Sequence, residues 1–451
     1  MDITGAFLQG SSLDREVYLR PPPDIRRKNP GKLWKLLKSL YGLNDAGRNF
    51  YYRIRPLLEE AGFKIAGQDE AFFYKHDGGK LVGEIGLHVD DFLIAGQEQL
   101  VKEVIKLVSE ALKVSKVEWN RFRYTGIDLE RRGDGTIIIA MDDYADSVEK
   151  IPEFRQGDRL DPLTDMERRI YRKYVGKLLW LAENARPDLA YIALEMSKTA
   201  ATATLKDLKA INRVVDKVHA RESKVVVKPV GPREDLIVKS LCDASYSSVS
   251  KSTQGHIVLL GNNKNSNVAP LYWKSRTIRK VCGSSKDAET RACESCLEDS
   301  VYMAERLEKM LYGDVKQRIK VAINSDSEPL LESIKSTRRV ANKSLCNTVE
   351  RLKEALLEGS VERYAYIGTK DNAADQLTKD MNESQDFVNI FSDGQFVKED
   401  QRKVVRVVKR EFADEIRLFE GGKLRADVAD REEQGTEEQT KKMSEMAKCR
   451  S

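Results

Sequence analysis

The chain has 451 residues, 41% of them hydrophobic and 33% charged, and a net charge of +5. That length is too great for a single core and implies two or three domains, and no run of 18 apolar residues offers a membrane span. Six cysteines (Cys242, Cys282, Cys293, Cys296, Cys346, Cys449) are too sparse for a disulfide scaffold, and the opening MDITGAFLQG lacks the basic and apolar regions of a secretory signal. A reduced, intracellular protein, cytoplasmic or nuclear, is expected.

In chain order, RPPPDIRRKNPG (20–31) is a turn-forming connector. The spacing of Leu36, Leu37 and Leu40, then Ile54, Leu57 and Leu58, predicts two amphipathic helices broken around YGLNDAG. Between Arg20 and Arg55 ten Lys/Arg face two acids, with Trp34, Tyr41, Phe50, Tyr51 and Tyr52 interleaved. Such a stretch suits a phosphate backbone and stacked bases, and equally suits a solvated helix face with core aromatics. Residues 81–96 read as a β-hairpin, 99–113 as a helix and 122–140 as a second hairpin around GDG. From 165 to 220 the pattern is helical, and 221–235 resembles a linker.

After Leu236 come three short strands (IVKSLCDASY, GHIVLLG, PLYWKSR), a helix over 288–310, the strand IKVAINSD, more helix and the short strand YAYIG. That order predicts an α/β unit with a mixed sheet. QRKVVRVVKR (401–410) reads as a solvated edge strand, with a basic nucleic-acid-binding or nuclear-localisation run as the alternative. Gly422–Ser451 holds seven basic and seven acidic residues and no aromatics, the composition of a disordered tail. Cys293 and Cys296 form C-x-x-C without a second pair or a suitably spaced histidine, so they are expected to pack on a helix face.

In GLHVDDFLIAG (86–96), Asp90 and Asp91 stand adjacent between two apolar strand-like runs. Neighbouring carboxylates repel and are costly to desolvate unless a cation compensates. A lone pair of this kind is most simply an exposed turn, and periodicity selects no third acid.

MDITGAFLQGSSLDREVYLRPP, LWKLLKSLYGLNDAGRNFYYRI and GLHVDDFLIAG, in that order, resemble the reverse transcriptase of copia-type long-terminal-repeat retrotransposon Pol polyproteins. YRKYVGKLLWLAENARPDLAYIALEMSK (171–198) resembles a downstream block of the same family. The resemblance implies that Asp2, Asp90 and Asp91 are polymerase carboxylates, Asp2 and Asp90 bridging two Mg²⁺ (or Mn²⁺) ions and Asp91 tuning them. It implies that Phe7 excludes a ribose 2′-hydroxyl, that Gly42 lines the nucleotide pocket, and that Arg48 contacts template or nucleotide. The chain departs from the family at His88, where a tyrosine is usual, and at Asn44–Gly47, where KQAP is usual. The fingers region that precedes the first motif in the family is expected to be missing, as in an N-terminally truncated element.

Further on, Asp243 in SLCDASY, Glu289 in SSKDAETRA, Asp326 in VAINSDSEPLL and Asp375 in TKDNAADQLTK lie at or near element ends. Singly, each is more simply a cap or first-turn acid. As an ordered set they resemble the four metal-binding acids of the ribonuclease H domain that follows the polymerase in copia-type elements. The resemblance implies two Mg²⁺ or Mn²⁺ ions there, cleaving the RNA strand of an RNA–DNA hybrid.

The expected fold class is α+β and α/β: a reverse-transcriptase palm (1–150, fingers missing), a helical thumb or connection (151–230), a ribonuclease H-like mixed-sheet domain (236–385) and a charged, partly disordered tail (386–451). The expected partners are RNA template, DNA primer, RNA–DNA hybrid and deoxynucleotides, with no membrane, and the sequence does not disclose the oligomeric state. The alternative is an inactive remnant that binds nucleic acid without catalysis.

Overall fold

The computed structural model describes residues 1–67, 69–313, 319–338, 340, 342–396, 403–408, 415–420 and 423–424. They divide into two compact units: 1–150 with 214–229 and 302–319, and 151–213 with 230–301 and 320–451.

The first unit contains β1 (Asp2–Ile3), α1 (Ala6–Gln9), β2 (Tyr18–Leu19), α2 (Pro23–Lys28), β3 (Trp34–Lys35), α3 (Ala46–Glu60), β4 (Lys64–Ala66), β5 (Asp69–Asp77), β6 (Lys80–His88), β7 (Asp91–Gly96), α4 (Glu98–Ala111) and β8 (Val114–Lys116). Its main sheet has the order β4-β5-β6-β7-β1-β8 and is antiparallel at every pairing. On β6 the core-facing residues Ile85 and Leu87 alternate with Glu84 and Gly86, the period-2 pattern of a sheet with one covered face. The helices cover it: Phe50, Ile54 and Leu58 recur every four residues on α3, and Val104 and Val108 do so on α4. A smaller antiparallel sheet follows from β9 (Arg121–Tyr124), β10 (Ile127–Arg131), β11 (Ile137–Ala140) and, after the short α5 (Asp142–Asp146), a strand contributed from far along the chain.

Two expectations fail in this unit. Residues 33–45 form no helix. Trp34–Lys35 instead pairs with Tyr18–Leu19, Leu36 N–H donates to Val17 at 2.9 Å, and Leu37 is 75% exposed, so the leucine spacing has no core to face. The presumed linker 221–235 contains that distant strand, β12. The β-branched run over Lys224–Val227 pairs along its length with β11, burying Val225 and Val226.

The second unit opens with α6 (Asp165–Asn184), α7 (Ala190–Thr199) and part of α8 (Leu205–His219), then β12 intervenes in sequence before the large sheet. Thr164 starts α6 with a capping box to Glu167, which satisfies two end groups reciprocally. The strands and helices that follow are β13 (Leu236–Ser245), β14 (Thr253–Asn262), β15 (Ala269–Thr277), α9 (Ser285–Tyr312, in this unit as far as residue 301), β16 (Lys320–Ser325), α10 (Glu328–Lys335), α11 (Lys343–Leu357), β17 (Arg363–Tyr366), α12 (Gln385–Asp393), β18 (Lys403–Val408), β19 (Glu415–Glu420) and β20 (Lys423–Leu424), the strands forming one sheet. The order β15-β14-β13-β16-β17-β18-β19-β20 is mixed, as predicted: β13–β16 and β16–β17 are parallel, and the other pairings are antiparallel. The parallel pairs require crossovers, which α9 and the α10–α11 pair supply. β13 is buried on both faces, which accounts for its nearly continuous apolar reading.

The basic run around Lys403–Val408 is no edge strand. It is paired on one side with β17 and on the other with β19, and Val405 is wholly buried. The proposed disorder of Gly422–Ser451 lies outside the described residues except at β20. No helix among the described residues is long and apolar enough to cross a membrane.

Candidate active site

Parallel pairing builds the first half of the principal site. Cys242 on β13 is in register with Ser325 on β16, so the residues that follow, Asp243 and Asp326, emerge side by side at one carboxyl-terminal sheet edge. Ligands collect at such edges because side chains there converge without strand pairing to block them. Glu289, in the second turn of α9, completes the group. Asp243, Glu289 and Asp326 each offer a carboxylate oxygen, and the three oxygens lie within 4.8 Å of one another. They are the one such group of three or more His, Cys, Asp or Glu among the described residues.

Burial and mutual repulsion mark this cluster electrostatically. Burial, then the charges of Asp243 and Asp326, pushes the Glu289 carboxyl up to about 9. Asp326 is raised by burial and by Asp243. Asp375 lies in a 3-10 turn over Ala373–Leu377, and burial with Asp243 pushes it up to about 7. Glu289 Oε2 is buried without a hydrogen-bond partner. A buried carboxylate oxygen without a partner, on a residue grouped with two further acids, carries a desolvation penalty that a cation would remove. The donor set is all oxygen, which suits a hard divalent ion such as Mg²⁺ or Mn²⁺ over zinc.

Three neighbours that the sequence reading passed over fix this geometry. Asn372 donates from Nδ2 to the Cys242 carbonyl at 3.1 Å and caps Ala374, pinning the 375 segment to the end of β13. Thr378 Oγ1 donates to Asp243 Oδ2. Lys379 Nζ lies 3.0 Å from Asp375 Oδ1 and 3.5 Å from Asp243 Oδ2. All three stand in TKDNAADQLTK beside Asp375, so the signal was adjacent, but nothing in spacing tells which polar residues turn inward. Beneath the acids, Cys242, Cys293 and Cys296 are buried, the two helical cysteines packing as expected.

The other carboxylates lie in the first unit. Asp2 on β1 is directly opposite Asp91 on β7, and Ile3 N–H donates to the Asp90 carbonyl at 3.1 Å. Asp2 also accepts from Ser115 Oγ. Burial first, then the Asp90 charge, raises the Asp91 carboxyl. The hairpin turn holds Val89 at φ +55°, a left-handed conformation costly for a β-branched residue. The structure thus brings Asp2, Asp90 and Asp91 onto neighbouring backbone without gathering their oxygens into a group of the kind formed by Asp243, Glu289 and Asp326. Phe7 on α1 packs against Tyr41 with ring centroids 4.8 Å apart. Gly42 has φ +100° with open space around its α-carbon, and Arg48 is exposed on α3.

Comparison with known proteins finds these similarities. Residues 1–160 match the family described as reverse transcriptase (RNA-dependent DNA polymerase). The chain is 25% identical over 410 residues to the retrovirus-related Pol polyprotein from transposon RE2 of Arabidopsis thaliana, an alignment covering 84% of this chain and 26% of that protein. It is 26% identical over 304 residues to a putative transposon Ty5-1 protein of Saccharomyces cerevisiae, covering 62% of this chain and 94% of that one. The chain therefore spans about a quarter of the length of the plant polyprotein. Among solved structures, a foamy viral protease-reverse transcriptase in complex with RNA/DNA hybrid aligns with TM-score 0.45 and 14% identity, over 82% of this chain and 43% of that one. A ribonuclease H1 from Halobacterium salinarum aligns with TM-score 0.24 and 14% identity, over 31% of this chain and 92% of that one.

Proposed function

With residues 1–160 a reverse transcriptase domain, and the chain a relative of copia-type retrotransposon Pol polyproteins, we propose that it acts on RNA–DNA hybrids, cleaving their RNA strand at the second-unit acids. The observation that carries this reading is the convergence of carboxylate oxygens of Asp243, Glu289 and Asp326 within 4.8 Å, with Glu289 Oε2 buried and unpartnered. Those three, with Asp375, would hold two Mg²⁺ or Mn²⁺ ions. Bound there, such ions supply an activated water and stabilise the charge on the departing 3′-oxygen.

The chain's own residues do the positioning. Asp243 and Asp326 are set side by side by strand register, Thr378 orients the Asp243 carboxylate, and Asn372 anchors the turn that carries Asp375. The high proton affinity of Glu289 comes first from burial and then from the charges of Asp243 and Asp326, and a cation bound among the three acids would offset that repulsion.

In the first unit the reading is a polymerase palm, its carboxylates Asp2, Asp90 and Asp91, its 2′-hydroxyl barrier Phe7, and Gly42 and Arg48 lining the nucleotide and template side. Deoxynucleotides, an RNA template and a DNA primer would be its substrates. The looser arrangement of these three acids favours hybrid cleavage over polymerisation as this chain's stronger chemistry.

The test is Mn²⁺-dependent cleavage of an end-labelled RNA–DNA hybrid by the whole chain, with Asp243→Asn alongside. Cleavage that the substitution abolishes supports the reading. Hybrid that is bound but never cut overturns it in favour of a nucleic-acid-binding remnant.

A further inference from the structure

Lys379 places a positive charge among the proposed metal-binding acids. Its Nζ is 3.0 Å from Asp375 Oδ1 and 3.5 Å from Asp243 Oδ2, and its charge also acts on Glu289 and Asp326. The contact is built by the backbone. Asp375 and Lys379 are four residues apart, and Lys379 N–H donates to the Asp375 carbonyl at 3.0 Å. Asp375, the acid that Lys379 holds most closely, is also the one outside the group of three within 4.8 Å.

Charge counting gives this contact a consequence. Four carboxylates carry at most four negative charges, which two divalent ions balance. With the Lys379 ammonium in place, one divalent ion leaves the pocket one charge negative, and a second takes it past neutrality to one charge positive, so the second ion meets a repulsion that the four carboxylates alone would not give it. The ammonium is also displaceable: the side chain is 41% exposed, and lysine is a point charge on a flexible four-carbon stem.

We propose that Lys379 is a built-in cation that occupies the Asp243–Asp375 side of the pocket and competes there with the second divalent ion. Without nucleic acid the pocket therefore takes one ion tightly and the second weakly. An arriving phosphate draws the ammonium away from the acids and admits the second ion. This inference rests on the reading of the four acids as a divalent-cation site.

The experiment is Mn²⁺ titration of the full chain without nucleic acid, followed by calorimetry and by the electron paramagnetic resonance signal of free Mn²⁺. Ions are counted above those retained by an Asp243→Asn/Asp326→Asn double variant, which removes any contribution from the first unit. Wild type is expected to exceed the double variant by one ion. Lys379→Met is expected to exceed it by two, or to bind the second ion at least about tenfold more tightly. Lys379→Arg, which keeps the charge, should bind as wild type does. Two ions of equal affinity in wild type, Lys379→Met unchanged from wild type, or Lys379→Arg gaining an ion as Lys379→Met does would each overturn the role of Lys379. A double variant that binds as many ions as wild type would overturn the cation-site reading itself.

Discussion

Replacing Glu289 by Gln should stabilise the protein in the absence of divalent ions. In the folded chain the carboxyl is pushed up to about 9 from an ordinary value of 4.5, chiefly by burial and then by Asp243 and Asp326. A group whose folded pKa is raised contributes stability that is complete below pH 4.5 and is lost as pH rises towards 9. At pH 7 the unfolded carboxyl is ionised and the folded one still holds its proton. Each pH unit between 4.5 and 7 costs about 1.4 kcal/mol, giving an upper bound of about 3.5 kcal/mol. Glutamine is neutral at every pH and keeps an acceptor for the Ala244 amide, so it removes that penalty. For a unit of this size that bound corresponds to roughly 7–14 °C in Tm. The assay is thermal unfolding in chelator at pH 7 and at pH 4.5, repeated with Mn²⁺. Glu289→Gln should raise Tm at pH 7 and not at pH 4.5, and Mn²⁺ should then stabilise it far less than wild type. A gain of equal size at both pH values, or none at pH 7, would refute the electrostatic argument.

Three further outcomes follow from particular contacts. Val89→Asn should stabilise the first unit by about 1 kcal/mol in urea unfolding, because asparagine tolerates the left-handed backbone at φ +55° and valine does not; destabilisation would show that the valine side chain matters more than its strain. Arg186 and Asp188 form a two-bond ion pair at 2.9 Å with side chains 0% and 1% exposed, so Arg186→Met should cost about 3–5 kcal/mol by removing the buried carboxylate's two-bond cation. Arg186→Met/Asp188→Leu should recover part of that loss, and a double variant no better than the single one would contradict the account. His256 is buried and its pKa is lowered, chiefly by burial, while its Nε2–H donates to Asp299 at 2.8 Å. Stability from a base held neutral is present above pH 6.5 and lost as pH falls below it, so chemical unfolding of His256→Gln should show a flatter pH dependence between 6.5 and 5. The Asp299 carboxyl, held at about 2 against burial by His256 and Lys274, gives a separate loss between pH 3.8 and 2 that the substitution leaves only partly in place.

Legibility in the sequence varied with how local the determining physics was. The hairpin at GLHVDDFLIAG and the helices from 165 to 219 were readable because a period of 2 or 3.6 is written into the chain itself, and the strands after Leu236 because short apolar runs stand between turn residues. The leucines at 36, 37 and 40 have helical spacing but no partner surface, and a two-strand pairing with Tyr18–Leu19 takes the segment instead. β12 and β18 escaped for the opposite reason. Their valines looked like linker and edge, and their identity, β12 as a strand beside β11 and β18 as an inner strand between β17 and β19, depends on partners far away in sequence. At the site, the four acids of the second unit came from family resemblance, not from spacing. Their proximity rests on the Cys242–Ser325 register, which no local pattern encodes. Asn372, Thr378 and Lys379 were invisible as site residues because their roles follow from a turn packed against β13.

Anomalous scattering from Mn²⁺-soaked crystals of the whole chain is the most direct test of whether Asp243, Glu289 and Asp326 hold a divalent cation. A peak bounded by those three carboxylates, absent in Asp243→Asn crystals grown and soaked alike, is the predicted result. Well-ordered carboxylates with no anomalous peak between them at saturating Mn²⁺, or a peak that persists unchanged in Asp243→Asn, would contradict it.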